Sequence, residues 1–200
     1  MVYSLTKEQE NKEITRRYKD LLKGAYQSFT AADKREIRKA FDLALEAHSS
    51  QRRKTGEPFI FHPIAVAKIV AYEIGLDTTS IVAALLHDVV EDTEYTLEDI
   101  EQLFGESVAR IVNGLTKIAH LKKDPNASVQ AENFRKMLLT LHDDVRVILI
   151  KIADRLHNMQ TMDAMPHDKQ VKISSETLYI YAPLAHRLGL YNIKTELENL

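Results

Sequence analysis

Helix-start and helix-stop signals follow one another along this chain at spacings that leave room for little but helices. Thr6 with Gln9 reads as a capping box, each side chain satisfying the other's backbone N–H, and opens a helix that stops near Gly24. Thr30 opens the next, with Ile37, Phe41, Ala44, Leu45 and His48 recurring on one face. QRRKTGEP, residues 51–58, carries Gly and Pro and reads as a loop. Pro63, after His62, suits a first helical position, with Gly75 past the end. Asp77 or Thr78 caps a helix carrying Ile81–Val90, and YTLEDIEQLFG is a short capped helix ending at Gly105. ESVARIVNGLTKI continues helically to a polar loop, AHLKKDPNAS, and 128–141 is another helix. The front half of VRVILIKIADRLHNM is β-branched and could make a strand. It reads as helix because Val147, Ile150, Asp154 and His157 follow a helical stripe and no partner strand is evident, with Asp143 or Asp144 as its N-cap. From about Lys169 the chain is helical to Pro183 and again to the end. The expected class is all-α, a bundle of about ten helices.

Composition narrows the function. With 200 residues and 44% apolar content, the chain has material for one cored domain. A formal net charge of −2 gives no general drive toward nucleic acid or anionic membrane, so any anion must be met by a local basic cluster. The absence of cysteine excludes disulfides and thiolate metal sites; a metal here must use His, Asp, Glu or water. The N-terminus is charged, with no signal-peptide core. The most apolar runs, 81–86 and 145–150, fall far short of the ~20 residues that span a bilayer. A cytoplasmic protein is expected, and the closing YNIKTELENL reads as a helix cut in mid-course, as in a fragment of something longer.

Within the apolar helix at 81–90 sits a polar run, HDVVED, that demands explanation. A buried carboxylate is costly unless it is paired or bound to a metal. His-Asp itself occurs three times. His167-Asp168 follows Pro166 in a polar turn, and His142-Asp143 precedes a helix as capping residues. His87-Asp88 alone lies inside an apolar helix, where positions i, i+1, i+4 and i+5 share a face, so His87, Asp88, Glu91 and Asp92 look the same way. Three carboxylates on one face repel unless a cation holds them; the competing reading is a solvated helix end. His62, at an apolar helix entrance, and Asp154, interrupting VILIKIADRL, complete a two-His, two-Asp set. Those ligand types suit Mn²⁺, Fe²⁺ or Zn²⁺ without choosing between them.

His62, HDVVED at 87–92 and ADRLHN at 153–158 together form the pattern of the HD superfamily of metal-dependent phosphohydrolases. More closely, the chain resembles the N-terminal hydrolase domain of RelA/SpoT-type enzymes, which make or degrade the alarmone (p)ppGpp. The resemblance rests on RRKTGEPFIFHPIAVA (52–67), AALLHDVVEDT (83–93), FGESVARIVNGLTKI (104–118), VILIKIADRLHNMQTM (147–162) and YAPLAHRLGLYNIKTELENL (181–200), and runs from roughly Phe41 to the C-terminus. It implies an HD-type helical bundle over residues 1–200, with 181–200 beginning a connection to a synthetase domain in a longer parent chain. It implies that His62, His87, Asp88 and Asp154 bind one Mn²⁺ and that Glu91 and Asp92 are the catalytic acidic pair. Arg53, Lys54, Thr55 and Asn158 would contact the nucleotide. The family often has Ser where this chain has Thr55; the hydroxyl is kept. Every member of the HDxxED element is present, as in working hydrolases of the family.

The charge count agrees with that assignment. A divalent ion with Asp88 and Asp154 is neutral, and ionised Glu91 and Asp92 bring the site to −2, which would repel a polyphosphate. RRK at 52–54 is placed to offset it, although a solvated loop is the usual fate of such a run. Expected products are GDP or GTP and pyrophosphate. Asn158 lies one turn after Asp154 and can face the same pocket, with His157 a competing candidate. His48, His120 and His186 have no constellation around them and read as structural or exposed. Two rivals stand beside this reading: an HD phosphohydrolase acting on another nucleotide, and a non-catalytic nucleotide-binding regulatory module.

Overall fold

The computed structural model describes residues 3–23, 28–121 and 144–200. Among them the secondary structure is helical, with no strand; the extended pairing is an isolated antiparallel bridge between Arg52 and Pro58. The all-α expectation holds. The helix stop near Gly24, the expected helix 128–141 and the His142-Asp143 pair lie outside the described residues. By compactness the chain divides into two units, Met1–Thr116 and Lys117–Leu200.

In the first unit the capping signals act as expected. α1 (Lys7–Lys23) is opened by Thr6 and Gln9, whose side chains each meet the other's backbone N–H. α2 (Ala31–Ala47) and α6 (Leu97–Phe104) begin with full capping boxes, Thr30 with Asp33 and Thr96 with Asp99. Asp77 caps α4 (Thr78–Leu85) by accepting from Ser80 N at 3.1 Å. α3 (Phe61–Ile69) starts two residues before the predicted proline position, so Pro63 falls inside the first turn, where its missing N–H still costs no helical bond. A π-turn, Val70–Ile74, extends it to Gly75, which takes φ 76° and closes the element. α3 and α4 are apolar on nearly every side and pack together at the centre, with α1 against α3 and α2 against α4. Ile37, Phe41, Ala44 and His48 of the predicted α2 face are buried, and Tyr18 of α1 stacks on Phe41 at 4.3 Å. α7 begins at Glu106 and runs through Leu121, further than the expected loop start at Ala119.

One expectation is corrected here. The helix carrying Ile81–Val90 is not continuous: α4 stops at Leu85, residues 86–88 form a turn, and a four-residue helix, α5 (Val89–Asp92), follows. The backbone tightens to i→i−3 bonds, His87 N to Ala84 O at 3.4 Å and Val89 N to Leu86 O at 3.0 Å. The His87 ring is the local cause. Its Nδ1 lies 2.6 Å from the Ala84 carbonyl, which in an unbroken helix would serve the Asp88 N–H.

The second unit is built on α8 (Val145–Gln160), capped by Asp144, which accepts from Arg146 N at 3.0 Å. The strand alternative for this β-branched segment is excluded. α9 (His167–Glu176) leads through a π-turn, Thr177–Tyr181, into α10 (Ala182–Arg187) and then α11 (Tyr191–Asn199), which packs against α8 with Ile193 and Leu197 buried. Pro183 therefore does not end a helix as expected. The π-turn absorbs its missing N–H, and the break comes at Gly189, with φ 76°. Arg155 is 5% exposed; it donates to Glu176 Oε2 at 2.8 Å, and its guanidinium lies 4.3 Å from the Tyr181 ring centre. Glu176→Ala strands this buried charge and is expected to cost about 2–4 kcal/mol in a denaturant titration; a loss under about 0.5 kcal/mol, the usual range for a surface substitution, would show the pair to be incidental.

Candidate metal centre and basic loop

In the first unit, His62 comes from the opening turn of α3 and His87 from the turn after α4, so α3–α4 packing brings two distant histidines together. Both are buried, their rings meet edge to face with centres 5.1 Å apart, and their ligand nitrogens lie within 4.8 Å. Asp88 joins them: its Oδ2 is 2.9 Å from His87 Nε2 and 3.8 Å from His62 Nε2.

The hydrogen bonding fixes the chemistry of this cluster. A carbonyl only accepts, so the 2.6 Å contact to Ala84 O requires the proton of a neutral His87 on Nδ1. Nε2 then carries a lone pair, and it faces a carboxylate oxygen at 2.9 Å. Two acceptors at that separation repel unless a cation, proton or metal, joins them. A histidine whose Nδ1–H is held by a carbonyl is also the common arrangement for a metal ligand through Nε2. The donor set of two imidazoles and a carboxylate fits a divalent cation.

Glu91 and Asp92 occupy α5, one turn on, with Asp92 N donating to Asp88 O at 2.9 Å. Glu91 is half-buried and Asp92 exposed. The loop 52–58 is pinched at its base by the Arg52–Pro58 bridge and turns at Gly56, with φ 91°. Arg52 is committed elsewhere: its guanidinium grips both carboxylate oxygens of Glu10 and holds that carboxyl below its ordinary range. The cationic side of the loop thus narrows from RRK to Arg53, half-buried, and Lys54, exposed. The Thr55 hydroxyl is buried without a hydrogen-bond partner among the described residues. A hydroxyl left so is costly unless a ligand or water meets it.

In the second unit, Asp154 and Asn158 come together on α8. Asn158 Nδ2 donates to Asp154 Oδ1 at 3.0 Å and Lys151 Nζ to Oδ2 at 2.5 Å. Arg155, the sequence neighbour that could have neutralised Asp154, is turned to Glu176. Lys151 was missed by reading the sequence; its signal is an i, i+3 spacing to Asp154 inside an apolar run. His157 is buried and His186 packs edge-on against Tyr191 at 5.4 Å. Gln51 was also missed, because nothing in its spacing distinguishes it from a loop residue. Its Nε2 donates to the main-chain carbonyl of Asp92 at 3.0 Å.

No helix among the described residues is long and apolar enough to cross a membrane. Among curated relatives, the bifunctional (p)ppGpp synthase/hydrolase SpoT of Escherichia coli K12 is 54% identical over 166 residues, 83% of this chain and 24% of that protein. A guanosine-3′,5′-bis(diphosphate) 3′-pyrophosphohydrolase of Vibrio cholerae is 52% identical over 182 residues, 90% of this chain and 26% of its own length. This chain thus spans about a quarter of the curated relatives it matches. A solved structure described as a metazoan ortholog of SpoT that hydrolyzes ppGpp is 25% identical, with a TM-score of 0.64, covering 86% of this chain and 96% of that one. The family model of the HD domain matches residues 40–191. A match of that extent, over the helices that carry the His/Asp cluster, makes this chain a member of the HD domain family.

Proposed function

We propose that this chain is a Mn²⁺-dependent phosphohydrolase that removes the 3′-pyrophosphate of (p)ppGpp, giving GDP or GTP and pyrophosphate. The observation that carries the metal dependence is the convergence of two imidazole nitrogens, His87 Nε2 at 2.9 Å and His62 Nε2 at 3.8 Å, on the one Asp88 oxygen, a donor set that suits a divalent ion. The substrate class is supported by the names of relatives more than half identical to this chain. His62, His87, Asp88 and Asp154 would hold the ion. When bound, a divalent ion lowers the pKa of water and offsets charge on phosphoryl oxygens. The chain's own groups do the rest. Arg53 and Lys54 draw in the polyphosphate, the Thr55 hydroxyl bonds it, and Asn158 contacts the nucleotide while its amide nitrogen orients Asp154. Glu91 and Asp92 share the proton transfers, one oxygen accepting a proton from the attacking water and the pair returning one to the departing ribose 3′-oxygen. The water oxygen forms the new bond to phosphorus, the phosphorus–O3′ bond breaks, and the nucleotide leaves with a free 3′-hydroxyl. The free nucleotide substrate places this reaction in the cytoplasm. In a longer parent chain, synthetase and regulatory segments would be its partners.

The test is to incubate metal-stripped protein with ppGpp, with and without Mn²⁺, and to separate the products by anion exchange. GDP and pyrophosphate are expected only with the metal. Bound but uncleaved ppGpp in the presence of Mn²⁺ would overturn the hydrolase reading in favour of a regulatory module.

A further inference from the structure

His48 ends α2 and is only 2% exposed, yet its ring does more than fill the core. Its Nδ1 lies 2.9 Å from Gln51 Oε1, and Gln51 Nε2 in turn donates to the main-chain carbonyl of Asp92 at 3.0 Å. The polarity of this chain of contacts is determined from its far end. The Asp92 carbonyl only accepts, so the Gln51 amide presents its NH₂ there and its oxygen to His48; that oxygen only accepts, so Nδ1 must carry the proton. Burial holds the His48 pKa below its ordinary value, which keeps the ring neutral. The same ring packs on Phe59 at 4.5 Å between centres, and Phe59 meets the edge of His62 at 6.0 Å. Gln51 is also the residue from which the basic loop departs: its carbonyl accepts from Phe59 N at 3.2 Å and its N–H bonds His48 O at 2.9 Å.

We propose that His48 and Gln51 are positioning residues, a hydrogen-bonded strap that fixes the Glu91–Asp92 turn against the base of the loop bearing Arg53, Lys54 and Thr55. The need for a strap follows from α5. A helix of four residues has no internal stability, and its last carbonyls lack intrahelical partners. Gln51 meets one of those carbonyls. Acid pair and cationic loop are thereby held at one spacing, which sets where a scissile phosphate can sit between them. The role rests on the hydrolase reading above for its kinetic consequence and on hydrogen bonding alone for its structural one.

Gln51→Met keeps the length and removes both bonds. In the Mn²⁺-loaded protein it is expected to lower kcat for ppGpp by about 10²-fold, the scale of a 1 Å misplacement, with KM and Mn²⁺ affinity changed less than threefold. His48→Leu should behave likewise, while His48→Asn, whose amide can donate to Gln51, should recover most of the rate. Amide hydrogen exchange gives a reading independent of turnover: at Asp92 and Thr93 it should speed at least tenfold in Gln51→Met and not at Ile64 or Leu85. An unchanged kcat, or exchange at Asp92 and Thr93 equal to wild type, overturns the strap. If the wild type itself fails on ppGpp, the substrate reading falls, and the exchange comparison alone decides the strap.

Discussion

In an Asp88→Ala variant, Mn²⁺ affinity falls by more than about 100-fold, beyond the loss usual for a group that merely supports a ligand, and ppGpp turnover disappears with it. Asp88 supplies the carboxylate oxygen on which both imidazole nitrogens converge, at 2.9 and 3.8 Å. Without it, the proposed ligand set keeps one carboxylate in place of two and loses the oxygen nearest both imidazoles. The fold should survive. Asp88 precedes α5, but its side chain makes no capping bond there, and the turn is held by main-chain contacts and by the His87 ring on Ala84. The measurement is a metal titration alongside product analysis, with thermal unfolding as control. Full turnover in this variant, or metal loss that follows only from unfolding, would remove Asp88 from the site.

Much of the scaffold was legible because it rests on contacts three or four residues apart. The Thr6–Gln9, Thr30–Asp33 and Asp77–Ser80 caps are local chemistry, and each opens its helix as the sequence implies. The turn at 86–88 was not legible. The residues around it are apolar, and the break depends on the His87 side chain taking a backbone carbonyl, a choice that no spacing in the sequence signals. Pro183 misled for a related reason: its cost is fixed by the turn before it, and a π-turn lowers that cost. The meeting of His62, His87 and Asp88 could be anticipated from residue type and context. The commitment of Arg52 to Glu10 could not, because that pair joins positions 42 apart. The Gln51 bond to Asp92, across 41 positions, escaped for the same reason.

Asp92→Ala should separate chemistry from metal binding. The variant is expected to keep Mn²⁺ affinity within a few-fold and to lose about 10²–10⁴ in kcat, the range for removal of a general acid–base group. Asp92 is exposed and outside the His62–His87–Asp88 cluster, so truncation should move stability by no more than about 0.5 kcal/mol. The Gln51 contact is to the Asp92 main chain and survives the substitution, so the turn keeps its place. Glu91→Gln supplies the comparison. A carboxylate that takes a proton from water works only when ionised and is missed most at high pH; one that delivers a proton works only when protonated and is missed most at low pH. The pH profiles of the two variants therefore assign the two tasks. Wild-type turnover in Asp92→Ala would remove Asp92 from catalysis, and loss of metal with loss of rate would place it among the ligands instead.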